Sequence, residues 1–115
     1  MRIDVDARDG STIMDLLYEK AAQRQKFGIQ HHDDGTGADQ TVLDGFTFSE
    51  LANTFKAVND RYELVGAAHS WAFILLEEVF EALSETDPDR LTYELIQVMA
   101  VAASWIDDVD SRKGA

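Results

Sequence analysis

Apolar residues recur at spacings of three and four along most of this 115-residue chain, a period that suits amphipathic helices and not strands. The expected fold class is therefore all-α, an antiparallel helical bundle of four or more helices. A chain of this length builds one core, so residues 1–115 are expected to form a single domain. The spacing predicts a first helix from about Thr12 to Phe27, with Ser11 as N-cap and Gly28 at its end. Ile13, Leu16, Leu17, Lys20, Ala21 and Arg24 share one side of it. A second helix is predicted over Thr47 to Asp60, with Phe48, Leu51, Ala52, Phe55 and Val58 on its apolar side. "RYELVGAAHS" either continues that helix or loosens at Gly66. Ser70 is the expected cap of a third helix, Trp71 to Ser84. Asp87 and Pro88 then open a fourth that runs to Asp110. Residues 1–10 and 111–115 read as flexible ends.

Between the first two helices, "GIQHHDDGTGADQTVLDG" breaks the period with glycine and aspartate. The predicted loop, 28–46, exceeds the usual connection, and loops of more than about fifteen residues are often functional.

The charge balance is acidic: ten basic and twenty-two acidic residues give a formal net charge of −12. Bulk electrostatics of that sign oppose binding to a nucleic-acid polymer or an anionic membrane, and suit a protein that recruits cations. With no cysteine there is no disulfide, thiol nucleophile or Cys-based zinc site. No apolar run approaches the ~18 residues of a spanning helix, and "MRIDVDARDGS" lacks the apolar stretch of a signal peptide. A cytoplasmic protein, of cell or virus, is the expectation.

Two acidic clusters interrupt the apolar pattern of the second half, in "EEVFEALSETDPDRLTYELIQV". At about 100° per residue, Trp71, Ile74, Glu78, Glu81 and Glu85 share one stripe of the third helix. Glu94, Gln97, Val98, Val101, Trp105 and Asp108 share a mostly apolar stripe of the fourth. Carboxylates on such faces cost several kcal/mol (order of magnitude) unless they are paired or protonated. Basic side chains or metal ions are the two remedies. The short "TDPD" connection makes the helices antiparallel neighbours and brings Glu81 near Glu94. Glu78 and Glu81, three apart, project from one face and are able to grip one ion. Oxygen-only ligands suit Mg²⁺, or Mn²⁺, rather than zinc. The plainer reading is a solvated acidic helix surface, which Glu77 and Glu85 fit best.

"EEVFE" (Glu77 to Glu81), followed after twelve residues by "ELIQ" (Glu94 to Gln97), resembles the EExxE…ExxD signature of the MazG-like all-α nucleoside triphosphate pyrophosphohydrolases. "RQKFGIQHHDDGTG" resembles a segment, roughly RQxxxWGxQxHPDGTG, of small actinobacterial and phage proteins of that kind. "SWAFILLEEVFEALSETDPDRLTYELIQVMAVAASWID" resembles their second half. The likeness covers residues 20 to 40 and 70 to 108, about half the chain. It implies a helical bundle that forms dimers or higher oligomers, and Mg²⁺-dependent hydrolysis of an NTP or dNTP to the monophosphate and pyrophosphate. By motif position it implies Glu78, Glu81 and Glu94 as metal ligands and Glu77 as the residue that orients the attacking water. Two positions depart from the pattern. The last motif residue, usually Asp, is Gln97, which ligates without supplying charge, and Asp108 on the same stripe is the candidate to compensate. Asp33 stands where the family-like segment has Pro.

Candidates to hold the phosphates are Lys20, Arg24 and Lys26, which flank the loop that carries that segment; Phe27 or Trp71 could stack on the base, and Gln30 of the segment is a further substrate-binding candidate. The plainer alternatives are that Arg24 pairs with a core-facing Glu and that both aromatics are core. His31, His32 and Asp33 lack a third ligand at zinc spacing, and "DGTG" reads as a turn rather than a P-loop. His69 reads as a helix-boundary residue. Two further functions stay open on these residues: a catalytically degenerate protein that binds or sequesters nucleotides, motivated by Gln97, and an acidic interaction protein acting through charge alone.

Overall fold

The structure, a computed structural model, describes residues 7–41, 45–66 and 70–113. It is all-α, with helices α1 (Ala7–Phe27), α2 (Phe48–Leu64), α3 (Trp71–Leu83) and α4 (Pro88–Lys113). Among the described residues there is no strand, and an isolated antiparallel bridge joins Thr41 to Thr47. The predicted fold class is borne out. No described helix is long and apolar enough to cross a membrane. His69 lies outside the described residues.

Four boundaries differ from those read in the sequence. α1 starts at Ala7 and not at Ser11, so Gly10 and Ser11 lie inside its first turns. A glycine there costs about 1 kcal/mol relative to alanine, which a helix tolerates near its end. α2 runs past Asp60 to Leu64, because Tyr62 stacks on Phe73 at 6.4 Å and packing carries the helix onward. Gly66, at φ 71°, then supplies the left-handed turn after the helix. α3 stops at Leu83, with Ser84 as its C-cap. α4 extends to Lys113, its last turn carrying Arg112 and Lys113 where cations favour the helix dipole. Of the predicted caps, Ser70 and Asp87 hold and Ser11, inside α1, does not: Ser70 accepts from the Phe73 amide, and the Asp87 carboxylate accepts from Arg90 N at 3.0 Å. Thr47, predicted as the first residue of α2, caps it instead and accepts from the Glu50 amide.

Contacts group the chain into two compact units where the sequence suggests one domain. The larger, Asp34–Ala102, is built on α2 and α3. Phe48 meets Phe80 and Tyr62 meets Phe73, so the start of α2 lies against the end of α3 and the pair is antiparallel. Phe55 sits between, stacked on Phe80 at 5.8 Å and tilted on Phe73 at 5.9 Å. Phe48, Ala52 and Ala82 are the buried apolar residues among those described. The long loop fastens the pair. Gly37 N donates to the Leu83 carbonyl at 2.9 Å, a group the end of α3 leaves without a helical partner. Phe48 N and Ser49 N, at the start of α2, donate to Gln40 O and Ala38 O. Gly37 has φ 147°, and a side chain there would crowd Gln40 at 3.3 Å. That gives the "DGTG" turn a structural task at the helix ends.

The smaller unit, Met1–Asp33 with Ala103–Ala115, holds α1 and the end of α4. Thr12 Oγ1 donates to Asp107 Oδ1 at 2.7 Å, joining the two helices. No described residue of α1 or α4 is buried.

Candidate metal centre

α3 brings three carboxylates together. Oxygen atoms of Glu77, Glu78 and Glu81, one from each, all lie within 4.8 Å of one another. All three side chains are half-buried, because this stretch of α3 presents the same turn to α2 that carries Phe80 and Ala82. The opposed vertices of a Mg²⁺ octahedron are about 4.2 Å apart at ~2.1 Å metal–oxygen distances, so small rotations bring this donor set onto one ion. No other group of three His, Asp or Glu side chains among the described residues converges in this way.

The electrostatics record the crowding. Burial pushes the Glu81 carboxyl up from 4.5 to about 7, with the charges of Glu78, Glu77 and Glu94 adding to it and Lys56 opposing. Burial also raises Glu78, helped by Glu94 and Glu77. Lys56, on the exposed side of α2, pairs with Asp60 at 3.2 Å. Its own pKa is raised first by that hydrogen bond and charge, and then by Glu77 and Glu81.

Glu77 has a partner that the sequence did not suggest. Asn59 of α2, 6% exposed, donates from Nδ2 to Glu77 Oε1 and to the Phe73 carbonyl, both at 3.0 Å. Its Oδ1 is buried with no hydrogen-bond partner. An unpaired buried acceptor costs roughly 1–3 kcal/mol. The signal in the sequence was the run Phe48, Ala52, Phe55, Asn59, Tyr62, which keeps a spacing of four and three with one polar member.

The other predicted residues are distributed as follows. Glu94, half-buried on α4, acts on Glu78 and Glu81 through its charge but stands outside the convergent group. It lines a concavity of ≈ 450 Å³ with Glu85, Asp89, Arg90 and Tyr93. Arg90 and Tyr93 had not been singled out. Gln97 and Asp108 are half-buried on α4, Asp108 in the smaller unit. In that unit Lys20, Arg24 and Gln30 line one shallow concavity of ≈ 210 Å³ with Gln23, Gly28 and Ile29. The Lys26 ammonium lies over the Phe27 ring at 5.0 Å. Phe27 is 56% exposed, so it is not a core aromatic. Trp71 is half-buried at the start of α3. His31, His32 and Asp33 are exposed and join no metal-ligating group among the described residues.

No family model, curated protein or solved structure matches this chain.

Proposed function

We propose that this chain is a MazG-like, Mg²⁺-dependent nucleotide pyrophosphohydrolase that cleaves an NTP or dNTP to the monophosphate and pyrophosphate. The convergence of Glu77, Glu78 and Glu81 within 4.8 Å carries the reading, since three half-buried carboxylates repel one another until a cation joins them. The donor set fits Mg²⁺ or Mn²⁺: all oxygen, all carboxylate, with no His or Cys among them. Glu77, to which the resemblance gives the attacking water, is assigned here as the third ligand, with Glu94 lending negative field from α4. Gln97 and Asp108 have no assigned contact to the ion.

A bound ion would neutralise phosphate charge and lower the pKa of a coordinated water. The chain's own residues would hold that ion, exclude bulk water from its inner side through the Phe55–Phe80 stack, and orient the nucleotide. Lys20, Arg24 and Gln30 share a concavity and supply cationic and amide donors of the kind a polyphosphate tail needs. Phe27, exposed beside Lys26, is suited to stack on a base. The location implied is cytoplasmic.

A homo-oligomer, dimer or tetramer, is part of the proposal. Ile13, Met14 and Leu17 on α1, and separately Leu95, Ile96 and Met99 on α4, are each about half exposed, large apolar side chains of the kind that a second copy would cover. Sedimentation velocity tests it: a single monomeric species at micromolar concentration contradicts it.

The second reading, a nucleotide-binding protein without turnover, is favoured by Gln97 at the last motif position and by Glu94 standing outside the convergent group. The deciding experiment incubates a panel of NTPs and dNTPs with the protein and Mg²⁺, then Mn²⁺, and separates products by ion exchange. Monophosphate and pyrophosphate, lost in Glu78→Gln, are expected. Binding without product would select the second reading.

A further inference from the structure

Glu77 and Glu78 are adjacent in α3, and adjacent residues on a helix point about 100° apart. Glu81 lies between them on the helix surface, four residues after Glu77 and three after Glu78, so the three carboxylates converge when the rotamers of Glu77 and Glu78 turn toward it. Asn59 is the group positioned to hold Glu77 in one rotamer. Both of its amide hydrogens are committed, one to Glu77 Oε1 and one to the Phe73 carbonyl, each at 3.0 Å. Phe73 lies one turn before Glu77 on the same helix, so the amide spans a fixed backbone point and the carboxylate it steers. With 6% exposure, Asn59 has little room to change rotamer.

The residue type is informative because packing alone does not call for it. Position 59 continues the apolar run of α2, between Phe55 and Tyr62, where a leucine would fill the same ladder. An asparagine there leaves Oδ1 buried and unpartnered. What it provides in return is the grip on Glu77, a hydrogen bond that reaches the three-carboxylate group from α2.

We propose that Asn59 is the positioning residue of the cation site: its amide, braced on the Phe73 carbonyl, holds Glu77 so that one carboxylate oxygen stays on Asn59 and the other faces an ion shared with Glu78 and Glu81. The inference rests on the metal-binding reading above and adds to it a group, outside the ligands, that sets how well they converge. Groups that orient metal ligands from outside typically change affinity or activity 10–100-fold when removed.

The test uses the full chain with Mn²⁺ alone as probe, free ion being counted by its electron paramagnetic resonance signal. Wild type, Asn59→Leu, Asn59→Asp and Asn59→Gln are compared, with melting temperatures recorded beside the affinities. In Asn59→Leu the expected result is Mn²⁺ affinity at least tenfold weaker and a melting temperature equal to or above that of wild type. Asn59→Asp, of the same shape without the donor, should weaken binding as much, and Asn59→Gln, which keeps the amide, should recover part of it. If Asn59→Leu fails to fold, the Asp and Gln variants decide. Asn59→Leu and Asn59→Asp proteins that are folded and bind Mn²⁺ like wild type would overturn the positioning role. A lower melting temperature with unchanged affinity would show Asn59 to be structural only. Wild type that takes up no Mn²⁺ would remove the metal-binding reading itself, and this inference with it.

Discussion

The α2–α3 pair and the α1–α4 contact show what amphipathic helices do with and without a partner supplied in full. α2 and α3 interlock five aromatic rings with Phe48 at one end and Tyr62 at the other, and a loop hydrogen-bonds to the start of α2 and the end of α3. In the smaller unit α1 has no buried residue, and the Thr12–Asp107 hydrogen bond ties it to the end of α4. Yet the apolar period of α1 reads as clearly in the sequence as that of α2. Periodicity reports that a helix has an apolar face. It does not report whether the same chain covers that face. In the paired region burial is deep enough to shift carboxylate pKa values, and it is there that the candidate site is found.

If the contrast is sound, the largest response should come from the aromatic ladder. Phe55→Ala removes a ring stacked between Phe73 and Phe80 and should lower unfolding free energy by about 2–4 kcal/mol in urea titrations. A loss below about 1 kcal/mol would mean that the ladder is not the centre of stability. Thr12→Val removes the hydrogen bond between α1 and α4 at similar volume. It should cost about 1 kcal/mol, read most directly as faster amide hydrogen exchange in α1 with α2 and α3 unchanged. Equal acceleration in all helices would show that the two regions open together.

The smallest expected effect is the pH dependence of the carboxylate cluster, since its members are only half-buried. Glu81 has a folded pKa of about 7 against an ordinary 4.5, so the unfolded chain gives up this proton first as pH rises. Stability from this group is complete below about pH 4.5, falls through the window up to about 7, and is level above it. Glu78 adds to the fall in the same direction. Without divalent cations, Glu81→Gln should melt higher than wild type at pH 8 and about equally at pH 4. A wild-type melting temperature that climbs from pH 5 to pH 7, with no change in that slope in Glu81→Gln, would contradict it.

Much of the fold was legible in the sequence. Ser70, Thr47, Asp87 and Pro88 mark helix starts by side-chain chemistry that acts locally, and local chemistry survives folding. Helix ends set by tertiary packing were less legible: α2 outruns Asp60 because Tyr62 has a ring to stack on. The start of α1 was masked by Gly10 and Ser11, residues that usually lie at a boundary. In the candidate site, Glu78 and Glu81 were readable from their i, i+3 spacing. Glu77 stands four residues before Glu81, equally a same-face spacing, but at the edge of the stripe, where it reads as a surface charge. Asn59 was not legible as part of the site: the predicted end at Asp60 puts it in the last turn of the helix, where a polar residue is ordinary, whereas in the longer helix it occupies a core position.

The proposed divalent cation would rest on the converging carboxylates of Glu77, Glu78 and Glu81 on α3. Thermal unfolding at pH 8, with and without Mg²⁺, for wild type and Glu81→Gln, tests it most directly. At Mg²⁺ about tenfold above its Kd, binding to the native state should contribute about 1.4 kcal/mol, or ~4 °C for a domain of this size. That rise is expected in wild type, and its loss in Glu81→Gln. No rise in wild type, or an equal rise in both, would contradict it.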